Sequence, residues 1–486
     1  MRTQKRTRTT NSKKDKDIKK PYQLTKLKSG IPVIMNHNSN QTTVTITIFV
    51  KTGSNWETLE VNGIAHFLEH LFFKGTTHRP SQKNISKELE QYGAKANAFT
   101  SRELTCYYVK VNADYYKEVI EILADIMTNS LYRENDIEIE KKIVINELKQ
   151  RYSDPNFLLS NQFYSKFYKG HPISKSIIGK GHLIKNLNRF KIMAFLYLHY
   201  QPSNIVISVA GNFDQHLEKL LNKHFYPDYH LKWKLESSFF KNEYERLFSY
   251  QSQWKNVLSL MRDKQNFSSG PTQINHHTYH KQLDHTFVIV AFPGVSVKNP
   301  TKYHIQLLAH ILGVGMSSRL FDKIRSQEGL VYSIRASHIS HNYNGAFTIE
   351  YSCQHKPSDQ IRILRLIKEE LDHLKNEPVQ EEEYEKIMSN LISQVKVAQE
   401  SSYENAFHYG YQLAKEDDIK THEELVTIYQ KITRKDLQIN AQLYFDYQNM
   451  MICTLSPVKI NLETYQKIFL LEFLDTKTNS KPSIKP

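Results

Sequence analysis

Cysteine is scarce: Cys106, Cys353 and Cys453 are the only three in 486 residues, and they lie far apart. That excludes a disulfide framework and a cysteine-ligated zinc site. It favours a reducing compartment, so a cytoplasmic location is expected. Long apolar runs are missing as well. No stretch of about 18 apolar residues occurs, which excludes a membrane-spanning helix. Acidic side chains are outnumbered 50 to 65, leaving a net charge of +15. The first twenty residues alone hold nine basic and two acidic side chains, about half of that excess. The remainder is spread thinly, with no basic stripe along one helix, so nucleic acid is not an expected partner. The basic tail has no apolar core of a secretory signal. Its Arg and Thr content is that of an organellar import signal, which would place the protein in a mitochondrial or plastid matrix. Two aspartates between Lys13 and Lys20, and the lack of an amphipathic face, argue against that alternative.

What is present is a packed globular composition, 40% hydrophobic and 24% charged, in a chain long enough for two to four domains. Periodicity gives the order of elements. "TVTITIFVK" alternates as a strand. Residues 62–74 read as a buried helix and "SQKNISKELEQYG" as a second, capped by Ser81 and ended by Gly93. "AKANAFTSRELTCYYVKVN" reads as two strands. Val119, Ile122, Leu123, Ile126 and Met127 mark an amphipathic helix, residues 133–152 another, and "SNIVISVAG" a strand. The order then returns, from "HTFVIVAFPG" through "KYHIQLLAHILG", "SSRLFDKIRSQEG" (Ser317 as cap), "LVYSIRAS", "GAFTIEYSC" and two helices to "NMMICTLSP". Phe287 follows Ile46 by 241 residues and Met451 follows Val206 by 245. A near-constant offset predicts a duplicated α+β domain. The expected layout is a tail at 1–21, a first domain at 22–225, a linker or insertion at 226–280, a second domain at 281–465 and a tail at 466–486.

"GIAHFLEHLFFKGT", residues 63–76, places His66, Glu69 and His70 on an otherwise apolar helix. His66 and His70 are four apart and share a face, with Glu69 beside them. A lone buried histidine is ordinarily a satisfied core residue, but this set is destabilising without partners. A zinc ion supplies one: neutral imidazoles bind it and a nearby carboxylate acts on its water. A catalytic zinc needs a third protein ligand. On the helix at 133–152, Glu140, Ile143, Val144 and Glu147 share the face that carries Ile137 and Leu148, so two glutamates point toward the core, whereas Glu134 and Glu138 should be solvated. Glu147 is assigned as third ligand and Glu140 as the carboxylate orienting a ligand histidine.

The pattern H-x-x-E-H is the inverted zinc-protease signature. Around it the chain resembles the pitrilysin, insulysin and mitochondrial processing peptidase family of zinc endopeptidases over about residues 22–465. "GIAHFLEHLFFKGT" and "EIEKKIVINELKQ" match the metal motif. "KANAFTSRELTCYYVKV", "YQPSNIVISVAGNFD", "FPGVS" and "LGVGMSSRLFDKIRSQEGLVYSI" match later segments. The resemblance implies two tandem homologous domains, each a mostly antiparallel sheet packed with helices, forming half of a clam-shaped chamber. It implies one zinc per chain, held by His66, His70 and Glu147, with Glu69 as general base, cleaving peptides or unfolded presequence-like segments.

Substrate would add as a strand to an exposed sheet edge, with Asn97 and Ala98 presenting backbone groups. Arg325 and Tyr332 match a pair that steadies the substrate carbonyl and oxyanion. Against that stands the ordinary reading of a helix-end arginine and a core tyrosine. The second half's helix has His304 and His310 six apart with no glutamate between, so only the first half should bind zinc. Short members assemble as dimers, so a homodimer is expected, a heterodimer being possible. Arg325 and Tyr332 would then serve the partner's site. The alternative is an inert scaffold or partner subunit, which should show broken ligands.

Overall fold

Two sheets of matching strand order organise the chain. The structure, a computed structural model, describes residues 20–226, 276–416 and 418–470. Strands β1 (Gln23–Lys26), β2 (Pro32–His37), β3 (Thr43–Val50), β4 (Lys95–Thr100), β5 (Thr105–Asn112) and β6 (Ile205–Gly211) lie in the order β1-β2-β6-β3-β5-β4. Strands β7 (His276–Tyr279), β8 (Thr286–Gly294), β9 (Val331–Ser340), β10 (Gly345–Cys353) and β11 (Met451–Ser456) lie in the order β7-β11-β8-β10-β9. With β1 set aside, the two orders correspond strand for strand. Each sheet has one parallel pairing, β2 with β6 and β7 with β11, in an antiparallel remainder. The duplicated α+β domain expected from the repeat is therefore the architecture, and β4 and β9 are the corresponding edges.

The first half carries α1 (Ile64–Leu71), α2 (Gln82–Gln91), α3 (Tyr116–Asn129), α4 (Glu134–Tyr152), α5 (Pro155–Phe167), α6 (Gly181–Lys185), α7 (Arg189–His199) and α8 (Leu217–His224). The second carries α9 (Lys302–Gly313), α10 (Pro357–Asn376), α11 (Glu381–Ala398), α12 (Ser402–Lys415), α13 (His422–Gln430), α14 (Arg434–Tyr444) and α15 (Leu462–Leu470). Ser81 caps α2 by accepting from Asn84 N–H, as expected. The helix expected from Ser317 is instead a wide π-type helix at Phe321–Gln327, and Ser318 turns its hydroxyl to the Gly315 carbonyl at 2.7 Å.

Helix α1 is fixed at both its apolar face and its start. Ile64, Phe67, Leu68 and Leu71 are buried in the first core, where α1 packs on α4, β4 and β5. Truncating such a residue to alanine costs about 2–5 kcal/mol. Gly63 sits at φ +103, and a Cβ there would meet the Ile178 carbonyl oxygen at 2.7 Å, so the turn into the helix needs glycine. The buried Glu57 carboxylate accepts from Gly63 N–H at 2.8 Å and Ala65 N–H at 2.9 Å. It thereby satisfies two donors at the helix start, while burial pushes its pKa up to about 7.

The halves exchange one helix each. α5 lays Leu159, Phe163 and Phe167 on the second sheet against Ile289, Met451, Cys453 and Leu455. Its counterpart α12 crosses to the first sheet. There Ser402 Oγ pairs with Thr43 Oγ1 at 2.8 Å and Thr45 Oγ1 at 3.0 Å. A Cβ on Gly410 would meet the Phe49 ring at 2.6 Å, so only glycine allows this approach. The face of β3 that alternation suggests is solvated is therefore buried: Thr45 and Thr47 are 0% exposed. The junction is closed by Glu103, on the β4–β5 turn. Its carboxylate meets Lys415 Nζ at 2.8 Å, His341 Nδ1 at 3.3 Å and Asn342 N–H at 2.9 Å.

Three expected boundaries move. The second half begins by β7 at His276, not at 281, because β7 pairs with β11. It continues to Leu470 rather than 465, because α15 buries Phe469 in the second core. The first half reaches back to Pro21, whose carbonyl accepts from Asn36, and Lys20 Nζ ties this end to Glu424 of the second half at 2.8 Å. The rest of the expected basic tail, the bulk of the 226–280 insertion and the end of the C-terminal tail lie outside the described residues.

Candidate metal centre

His66, Glu69 and His70 come from α1, and Glu140 and Glu147 from α4, which packs against it. Four-residue spacing sets the two imidazoles on one edge of α1, ring centroids 4.7 Å apart. Seven-residue spacing sets Glu140 and Glu147 on the facing side of α4. Glu147 Oε2 lies 3.5 Å from His70 Nε2 and 3.8 Å from His66 Nε2. One donor atom from each of the three residues lies within 4.8 Å of the others. A tetrahedral zinc with bonds near 2.1 Å spaces its donors about 3.4 Å apart. The trio fits such an ion. Among the described residues it is the sole His/Cys/Asp/Glu group so placed.

The two imidazoles are shifted in opposite directions. Burial, with the charges of His70 and Arg151, pushes His66 down to about 3, so its ring is neutral, the form that binds metal. His70 differs. Burial disfavours its charged form, but the hydrogen bond and charge of Glu140, joined by Glu69 and Glu147, outweigh that and raise its pKa. The Glu140 carboxylate accepts from His70 Nδ1 at 2.8 Å, which leaves Nε2 facing Glu147. Burial pushes Glu140 up, but its bonds to His70 and Lys74 prevail and hold it below the usual carboxylate range. Glu69 moves the opposite way. Burial raises it, against a 2.7 Å hydrogen bond from Thr100 Oγ1 to its Oε2. A carboxylate of raised basicity beside the three donors suits a proton acceptor.

Beside Glu69 and His70 opens a cavity of about 620 Å³, walled by Phe73, Ile85, Leu89 and Ala96 with Asn97 at its rim. Asn97 and Ala98 lie on the edge strand β4, where the Asn97 Oδ1 accepts from the Ala98 N–H at 2.8 Å. Ile143, expected on the buried face of α4, is 44% exposed and lines this cavity instead. Arg325 and Tyr332 are brought to each other, not to the trio. The guanidinium lies 5.5 Å from the Tyr332 ring centroid, at the start of the edge strand β9. Tyr332 is 80% exposed, which overturns the core-tyrosine reading.

Sequence reasoning passed over three contributors. Glu57 caps α1, Thr100 holds Glu69, and Lys74 Nζ meets Glu140 Oε2 at 2.5 Å. Lys74 and Thr100 stand within quoted motifs, yet each is an ordinary polar residue at a helix or strand end, and only its partner gives it meaning.

Comparison with known proteins covers the same stretch of chain. The family description "Insulinase (Peptidase family M16)" matches residues 32–181, a span containing His66, Glu69, His70 and Glu147. "Peptidase M16 inactive domain" matches residues 186–391. An uncharacterized zinc protease of Rickettsia felis is 32% identical over 430 residues, 88% of this chain and 96% of its own length. A probable mitochondrial-processing peptidase subunit beta of Schizosaccharomyces pombe is 36% identical over 202 residues, 41% of this chain and 44% of that one. Among solved structures, a protease from Helicobacter pylori shares the fold with a TM-score of 0.76 at 22% identity, covering 90% of this chain and 99% of that one.

Proposed function

The chain belongs to the insulinase family of peptidases, family M16, and on that premise we propose that it is a zinc-dependent endopeptidase acting on extended peptide segments. The observation that carries the reading is the convergence of His66, His70 and Glu147 next to a half-buried Glu69 of raised basicity. Zinc held by those three residues would polarise the scissile carbonyl and acidify the attacking water.

Everything else is the work of side chains. Glu69 takes the proton of the attacking water and returns it to the leaving amine. Thr100 pins one oxygen of Glu69, leaving the other to move the proton. Glu140 fixes the His70 ring so that Nε2 faces the site. The free edge of β4 receives the substrate as an added strand, for which Asn97 would release the Ala98 N–H. The cavity beside Glu69 takes a neighbouring substrate side chain. Tyr332, exposed at the start of the corresponding edge of the second sheet, and the half-buried Arg325 beside it would donate to the substrate carbonyl at a partner chain's site in a homodimer.

Purified protein should hold about one zinc per chain and cleave members of a mixed peptide library until a chelator removes the metal. A full zinc complement without cleavage of any peptide would instead favour a non-catalytic subunit.

A further inference from the structure

Lys74 stands four residues after His70, in the turn that follows α1, where its N–H bonds the Leu71 carbonyl at 3.1 Å. The turn swings its ammonium back toward the metal side of the helix. There it meets Glu140 Oε2 at 2.5 Å, while Gln82 Oε1 on α2 accepts from the other side at 3.0 Å. The two Glu140 oxygens are thus divided, Oε1 to the His70 ring and Oε2 to Lys74. Glu140 is 1% exposed, so water cannot replace a lost partner easily. The other histidine has no such support: His66 Nδ1 is buried without a hydrogen-bond partner. Orientation of the ligand pair therefore depends on His70, and His70 depends on a carboxylate held from behind.

We infer that Lys74 is a positioning residue of the metal centre, locking the Glu140 carboxylate so that His70 presents Nε2 to the ion. The inference rests on the zinc reading above and deepens it. The chain Gln82–Lys74–Glu140–His70 ties α2, the turn after α1, α4 and α1 into one frame. Oε2 is buried with no hydrogen bond of its own and is held by the ion pair alone, so removing the ammonium takes away its only counter-charge and the carboxylate is free to swing away from the ring.

The test is zinc affinity, measured by chelator competition on the full chain, alongside unfolding of the metal-free protein. Lys74→Met should weaken zinc binding by about 10–100-fold, the usual effect of losing a group behind a metal ligand. Lys74→Arg should restore most of it, and Lys74→Gln, which keeps the polar stem and drops the charge, should behave as the Met variant if that one folds poorly. In a Glu140→Gln background, Lys74→Met should cost little further affinity, because the lysine acts through that carboxylate. Zinc affinity of Lys74→Met within twofold of the parent, or an undiminished loss in the Glu140→Gln background, overturns the inference while leaving the zinc reading intact. A parent chain that takes up no zinc overturns the zinc reading itself.

Discussion

The two halves share a strand order but not a chemistry. Helix α1 and its counterpart α9 follow the corresponding strands β3 and β8, and both bury apolar faces in their own core. On α1 the polar positions are His66, Glu69 and His70, answered by Glu140 and Glu147 of α4. On α9 they include Lys302, His304, Gln306 and His310, none of which joins a metal-like group among the described residues. The edges diverge too. β4 presents Asn97 and Ala98 beside a cavity, whereas β9 presents Tyr332 with Arg325 stacked near it. One frame thus carries a His/His/Glu cluster in one copy and, among the described residues, none in the other, through a handful of side chains. A shared fold alone does not fix function.

That comparison can be broken or sharpened experimentally. The largest effect is expected from Glu147→Ala, which removes one of the three proposed ligands. The variant should lose stoichiometric zinc, as metal analysis would reveal; full retention would remove Glu147 from the ligand set. Next comes the junction that holds the halves together. Lys415→Met leaves Glu103 buried without its cation and should destabilise the chain by about 3–5 kcal/mol in denaturant unfolding.

The same carboxylate gives an acid-side signature. Burial pushes Glu103 up, but the His341 hydrogen bond and the Lys415 charge prevail and hold it at about 2, below its ordinary 4.5. A depressed folded pKa stabilises fully above 4.5, and that contribution disappears as pH falls toward 2. Glu103→Gln should therefore flatten the stability loss over that window; an unchanged acid profile would assign the loss elsewhere. A smaller effect is expected on mixing Arg325→Ala with Glu69→Gln, where partial return of cleavage would place the pair at a partner's site. The smallest is His304→Ala with His310→Ala, which should leave zinc content unchanged.

How much was legible followed from locality. The His66, His70 and Glu147 cluster is readable because polar residues at helical spacing contradict an apolar face, and Glu147 because it repeats that contradiction on a second helix. The duplication was readable from a constant offset. The exchange of α5 and α12 was not. "TVTITIFV" looks like a strand with one wet face, and only the distant Ser402 and Gly410 reveal that the threonine face is covered. Ile143 misled for the converse reason: an apolar residue at core spacing opens onto a cavity. Glu57, Lys74 and Thr100 carried no signal alone, since each acts through a residue brought near only by folding. The π-type helix at Phe321–Gln327 likewise departs from a pattern that reads as an ordinary helix with a serine cap.

The claim that this half of the molecule is a working centre meets its most direct test in Glu69→Gln, assayed for zinc and for peptide cleavage on one preparation. The glutamine keeps the shape and the Thr100 hydrogen-bond partner but cannot take a proton. Zinc content should match the parent while cleavage falls by about 10²–10⁴-fold. Cleavage at the parent rate with zinc in place would contradict the account.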